Sequence, residues 1–131
     1  MSEPVFLTVD DVEAIHGESL VRFGGGSGIR DRGLLESAVA TPQAGFGGDY
    51  LHATLFDMAA AYAFHIAENQ PFADGNKRAG LGAALVFLLL NGVDVDDAEG
   101  RLYEAMIAIA GRTLDKVGLA ALLRELAKRV P

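Results

Sequence analysis

From Ala79 to Leu90 the chain reads Ala-Gly-Leu-Gly-Ala-Ala-Leu-Val-Phe-Leu-Leu-Leu, with no charge and no polar side chain to mark a solvent face. This run, with Gly75 before it and Asn91-Gly92 behind it, predicts a helix over 75–91, with Gly92 placed for a left-handed C-terminal cap. Leu81 to Leu90 is about half the ~20 residues that a bilayer crossing needs, so a buried core helix is expected and no membrane association. A helix apolar on nearly all sides has to be surrounded by others. The 131 residues can bury a real core but are too few for two ordinary domains, so residues 1–131 are read as a single domain.

The partners of that helix are legible in outline. Thr8 precedes Val9, Val12 and Ile15, with Asp11 as a capping-box partner, and predicts a first helix to about Phe23. Gly24-Gly25-Gly26-Ser27-Gly28 ends it and is read as a flexible connection, since no strand precedes it and no Lys-Ser/Thr follows, as a phosphate loop would need. Asp31 caps a short helix through Leu34, Leu35 and Ala38 that Pro42 closes, and Gly45 to Asp49 is read as a loop. From about His52 to Asn69, Leu55, Met58, Ala59, Tyr62 and Ile66 recur at helical spacing, and Pro71 prevents continuation. Asp96 or Asp97 opens a helix through Leu102, Met106 and Ile109, and a last one carries Leu119, Leu122, Leu123 and Leu126. No strand pattern stands out. The expected fold is all-α, a compact bundle of about six helices around a central buried helix.

Composition excludes several functions. A formal charge of -7 and a pI near 4.8 argue against direct nucleic-acid binding through counterion release and suit a basic or amphipathic partner segment. Without cysteine there is neither a disulfide framework nor thiolate chemistry. Met1-Ser2-Glu3-Pro4 has neither the basic nor the apolar region of a secretory signal, so a cytoplasmic location is expected.

The chemistry concentrates in Gln70-Pro71-Phe72-Ala73-Asp74-Gly75-Asn76-Lys77-Arg78. Backbone N–H groups of Gly75, Asn76 and Lys77 in the first helical turn have no helical acceptor and suit phosphate oxygens. Gly75 lets an anion approach closely. Asp74 is a hard oxygen ligand for magnesium, Asn76 adds amide donors, and Lys77 and Arg78 bring positive charge to a transferring phosphoryl group. Phe72 is read as an anchor in the core. The bland alternative makes Asp74 an N-cap, Asn76 a turn residue and Lys77-Arg78 a solvated edge. His65 with Glu68 one turn on has metal-ligand spacing but no third ligand, and is read as structural; His16 and His52 also lack metal spacing. Arg30 and Asp31 are read as a structural pair or cap.

This segment resembles the core motif of the Fic superfamily, and its lysine variant that of the Doc (death on curing) toxins. Ile15-His16, Phe23-Gly24-Gly25, Arg30 to Ala38, Pro42-Gln43 and Leu89 to Val93 resemble Doc positions in the same order, covering about Leu7 to Leu126. The resemblance implies an anion hole at Gly75 and Asn76, a metal site at Asp74 and phosphate contacts from Lys77 and Arg78, with ATP and Mg2+ as cofactors. Fic enzymes that transfer AMP usually carry a glycine where Lys77 stands. The lysine implies ATP bound in the reverse sense, and so a kinase that transfers the γ-phosphate to a Thr or Ser of translation elongation factor Tu. A cognate antitoxin with a disordered C-terminal tail is the implied partner.

Gln70 departs from the family, whose histidine there acts as general base. Glutamine has similar reach but cannot take a proton near neutral pH, so the nucleotide site is expected to survive while the transfer step is crippled. Whether this chain is an enzyme is thereby left open. A lineage that lost the base and a substitution introduced or selected against toxicity both fit, and the intact 74–78 run favours the second. A Fic-type AMP-transferase and a catalytically dead binding module are the alternatives. Gly80 and Gly82 stand where better helix formers are expected, at a cost of about 1 kcal/mol each relative to alanine.

Overall fold

The computed structural model describes residues 3–129; Met1, Ser2, Val130 and Pro131, and with them the very ends of the expected 1–131 domain, lie outside the described residues. Six α-helices carry the fold: α1 (Val9–Phe23), α2 (Arg32–Ala40), α3 (Leu55–Asn69), α4 (Asn76–Leu90), α5 (Arg101–Ala110) and α6 (Lys116–Leu126). None is long and apolar enough to cross a membrane. The caps follow the sequence. Thr8 and Asp11 form a reciprocal capping box on α1, Asp31 accepts from Leu34 N–H on α2, and Asp115 accepts from Gly118 N–H on α6.

Two helix starts differ from expectation. Helix α3 begins at Leu55, three residues after His52, because Thr54 and Asp57 form a second capping box. Helix α5 begins at Arg101, yet Asp97 still caps it from outside, its carboxylate accepting the N–H groups of Arg101 (2.8 Å) and Leu102 (2.9 Å). The chain also contains short strands. The segment read as a loop holds a hairpin, β1 (Gly45–Phe46) against β2 (Asp49–Tyr50), turning through Gly47 and Gly48 at φ 63° and 90°. Strand β3 (Val93–Val95) pairs antiparallel with β4 (Ala127–Arg129). Strands of two or three residues are too short to show an alternating pattern.

Helices α3 and α4 cross closely through small residues. A Cβ built on Gly80 would lie 2.8 Å from the Ala63 carbonyl oxygen, and one on Gly82 would lie 2.8 Å from Ile15 Cγ2 of α1. These contacts explain glycines that helix propensity alone disfavours. Above the crossing, Phe87 is wholly buried between Tyr62 and Phe6, at centroid distances of 5.2 and 5.8 Å. The Tyr62 hydroxyl accepts from Leu7 N–H at 2.9 Å, and burial pushes its phenol up to about 12. Coverage of α4 is one-sided: Ala79, Gly80, Ala83, Ala84, Phe87 and Leu88 are buried, whereas Val86, Leu89 and Leu90 remain 36%, 55% and 53% exposed.

Candidate functional site

Helix α3 stops at Asn69 because Gln70 turns left-handed (φ 48°, ψ 56°) and Pro71 follows. Arg30 closes the helix end, donating from Nε to the Gln70 carbonyl (2.7 Å) and from Nη2 to the Asn69 carbonyl (2.9 Å). The loop then runs antiparallel to 28–31. Pro71 O accepts from the N–H groups of Arg30 and Asp31 at 2.7 and 3.0 Å, and Ala73 N–H donates to Gly28 O at 3.0 Å. Phe72, 1% exposed, anchors the loop as expected and stacks on His16 with centroids 3.8 Å apart and planes within 5°. His16 Nε2 lies 2.7 Å from the Asp74 carbonyl oxygen. A carbonyl only accepts, so this nitrogen carries the proton.

Asp74 is exposed, with its carboxylate braced by two backbone donors: Oδ2 accepts from Gly26 N–H (3.2 Å) and Oδ1 from Gly75 N–H (2.8 Å). The Gly26 bond, then the Gly75 bond, holds its carboxyl below the usual range, so it is ionised at neutral pH. The Gly24–Gly28 run is therefore more than a connection. Gly25, at φ 120°, approaches Asp74 so closely that a Cβ would meet Oδ2 at 3.0 Å.

Gly75, left-handed at φ 76°, is the N-cap of α4, and no side chain caps the helix. The open donors are consequently the N–H groups of Asn76, Lys77 and Arg78, one residue further on than the sequence suggests, because Gly75 N–H is already held by Asp74. The Asn76 side chain is likewise engaged: its amide accepts from Phe72 N–H (3.0 Å) and donates to Phe72 O (3.1 Å). What Asn76 leaves for a ligand is its backbone N–H.

Residues Phe23, Gly24, Gly25, Tyr103 and the Asp74–Arg78 segment line a pocket of about 250 Å³. The structure thus brings Asp74, Gly75, Asn76, Lys77 and Arg78 together at one helix start, with a braced carboxylate beside uncapped donors. Gln70 is exposed and is not among the lining residues. Sequence reasoning missed His16 as a support and Tyr103 altogether. The Phe72–His16 contact had no local signal, and Tyr103 comes from a helix 25 residues downstream of Arg78.

A wider apolar groove of about 640 Å³ adjoins this pocket between α1, α4 and α5, walled by Ile15, Leu81, Leu85 and Val86 among others. Phe23, Arg78 and Tyr103 line both spaces. The Arg78 guanidinium lies over the Phe23 ring at 3.9 Å and over the Tyr103 ring at 4.5 Å.

The remaining histidines lie elsewhere. Lys116 Nζ of α6 lies 3.0 Å from both His52 Nε2 and His65 Nε2, and Glu68 faces Arg112 at 3.9 Å. Burial, then the Lys116 charge, then His52 push the His65 imidazole down to about 4. Among the described residues no three His, Asp or Glu side chains gather in a way that could hold a metal. The single Asp74 carboxylate remains compatible with magnesium, which takes one or two carboxylates and fills its shell with water and phosphate oxygens.

Comparison with known proteins finds relatives over most of the chain. Residues 6–88 match the model of the Fic/DOC family. A protein named Toxin Doc from Mycolicibacterium smegmatis is 40% identical over 117 residues, spanning 85% of this chain and 87% of its own. Protein kinase doc of Escherichia phage P1 is 31% identical over 120 residues, 92% of this chain and 94% of its own.

Proposed function

Because this chain belongs to the Fic/DOC family, on its Doc branch, we propose that it is a Doc-type toxin whose parent activity is protein phosphorylation and whose base has been replaced by Gln70. The observation that carries this reading is the uncapped start of α4, three open N–H donors beside the ionised Asp74. A polyphosphate fits such a place, since partial positive charge collects there. Asn76, Lys77 and Arg78 would hold the phosphates of ATP through backbone N–H groups and two cationic side chains, and Asp74 would hold magnesium. Bound magnesium would supply neutralisation of charge on the phosphate oxygens.

In the parent reaction the hydroxyl oxygen of a Thr or Ser attacks the γ-phosphorus. The bond from that phosphorus to the β,γ-bridging oxygen breaks, ADP leaves, and the hydroxyl proton passes to the base. Gln70 cannot accept that proton. A positioned base contributes about a hundred- to ten-thousandfold in rate, enough to separate a lethal enzyme from a tolerated one. Elongation factor Tu is the proposed target. An AMP-transferase is disfavoured by Lys77 in the pocket wall. The mass added to a target, phosphate or AMP, separates the two. The protein is proposed to act in the cytoplasm, with its groove seating an amphipathic helix formed on binding by the disordered C-terminal tail of a cognate antitoxin.

The test is Gln70→His, assayed for phosphate transfer from radiolabelled ATP to elongation factor Tu and for growth arrest when expressed without an antitoxin. Both are expected to appear, and to vanish again in Gln70→His combined with Asp74→Ala. A folded, ATP-binding Gln70→His that modifies no protein of a bacterial lysate would replace the kinase reading with that of a binding module.

A further inference from the structure

Arg78 is the cation of the pocket whose setting the motif does not explain. It takes part in none of the ion pairs among the described residues. Glu18, the one carboxylate on the groove wall, lies 3.7 Å from Arg22 instead. What holds Arg78 is aromatic: Phe23 from the end of α1 and Tyr103 from α5. A Cζ atom carries no hydrogen, and at 3.9 Å from a ring centroid it is in van der Waals contact with the ring. The guanidinium carbon thus packs over the Phe23 ring in a cation–π contact. A guanidinium held by rings and by no carboxylate among the described residues keeps its N–H donors for an anion. Phe23 is 59% exposed, an unfavourable place for a phenyl ring that a cation above it accounts for.

We infer that Phe23 and Tyr103 are positioning residues for Arg78: they hold it so that its N–H donors present a preformed fork to the phosphate chain bound at the start of α4. The inference rests on reading that pocket as a polyphosphate site and adds two residues outside the motif to it. Holding a long cationic side chain in one orientation before binding removes ordering entropy from the binding step. The rings thus act on affinity through Arg78, with no contact of their own to the anion.

The test is calorimetric titration of the full chain with magnesium ATP and, separately, with magnesium tripolyphosphate, which keeps the anion and lacks the base. Phe23→Leu and Tyr103→Leu are each expected to weaken both ligands by about three- to tenfold, while Phe23→Tyr and Tyr103→Phe keep wild-type affinity. In an Arg78→Met background the leucine substitutions should have no further effect. Unchanged affinity in both leucine variants overturns the inference, as does the same loss in the Arg78→Met background. Loss for ATP alone also overturns it, since the rings would then be stacking on the base. If the unsubstituted chain binds neither ligand, the polyphosphate reading itself falls, an outcome distinct from the other three. Thermal melts of each variant separate loss of binding from loss of fold.

Discussion

The two sides of α4 carry similar composition and opposite packing. Towards α3, small residues bring backbones together, Gly80 against Ala63, and Phe87 fills the space above them without exposure. Towards α1 and α5, Leu81, Leu85 and Val86 wall a groove of about 640 Å³ that the described residues do not fill. Hydrophobicity alone does not tell these sides apart, because both are apolar. Backbone approach does: at Gly80 another helix is already in place with no room for a methyl, whereas Leu81, Leu85 and Val86 border open space.

The largest expected effect tests the closed side. Phe87→Ala should cost about 3–5 kcal/mol in urea unfolding, against less than about 0.5 kcal/mol for the exposed Leu89→Ala. Equal losses would erase the distinction between the two sides. Next comes Gly80→Ala, expected to destabilise by about 1–3 kcal/mol despite its better helix propensity, because the added methyl meets backbone that cannot yield. Gly82→Ala meets the branch methyl of Ile15 at 2.8 Å, a side chain on another helix and not backbone, and should cost less, about 0.5–1 kcal/mol, by the same measurement. A stabilised Gly80→Ala would mean that the crossing is loose.

Acid should also act on one side only. His65 lies on α3, and its folded value of about 4 is below the unfolded ~6.5. The folded state therefore binds fewer protons between those values. The associated stability is fully present above about pH 6.5 and is lost as pH falls towards 4. Thermal melts from pH 7 to 4.5 should show this decline, and His65→Gln should flatten it. His52, lowered by burial and then by Lys116 despite the opposing charge of Asp57, adds in the same direction. The smallest effect on stability is expected in the groove. Val86→Ser should leave the melting temperature within about 2 °C yet weaken capture of the proposed cognate antitoxin at least tenfold. Retained capture would move the partner's seat elsewhere.

How much of this was legible depended on range. The caps at Thr8 and Asp31 and the break at Gln70-Pro71 are local, and each lies where sequence placed a boundary or close to it. The Asp74–Arg78 constellation was legible for the same reason, being five consecutive residues at one helix start. Its internal wiring was not. That Gly75 N–H and the Asn76 amide are engaged depends on how the loop folds back on itself, and the roles of His16, Gly25 and Tyr103 depend on segments far away in the chain. The glycines at 80 and 82 read as defects until their neighbours were in place.

The close pairing of α3 and α4 has a consequence for the order of events in a growing chain. The two helices are consecutive, so bringing them together closes only the short 70–75 segment and costs little chain entropy. Contacts of low sequence separation are the ones that form early. The turn that this docking closes leads directly into the candidate site at Asp74–Arg78, while one wall of the groove waits for α5 to be synthesised. Pulsed hydrogen exchange is expected to protect amides of α3 and α4 before those of α5. A nascent chain would then hold its chemical loop before it can offer a complete seat to anything that restrains it.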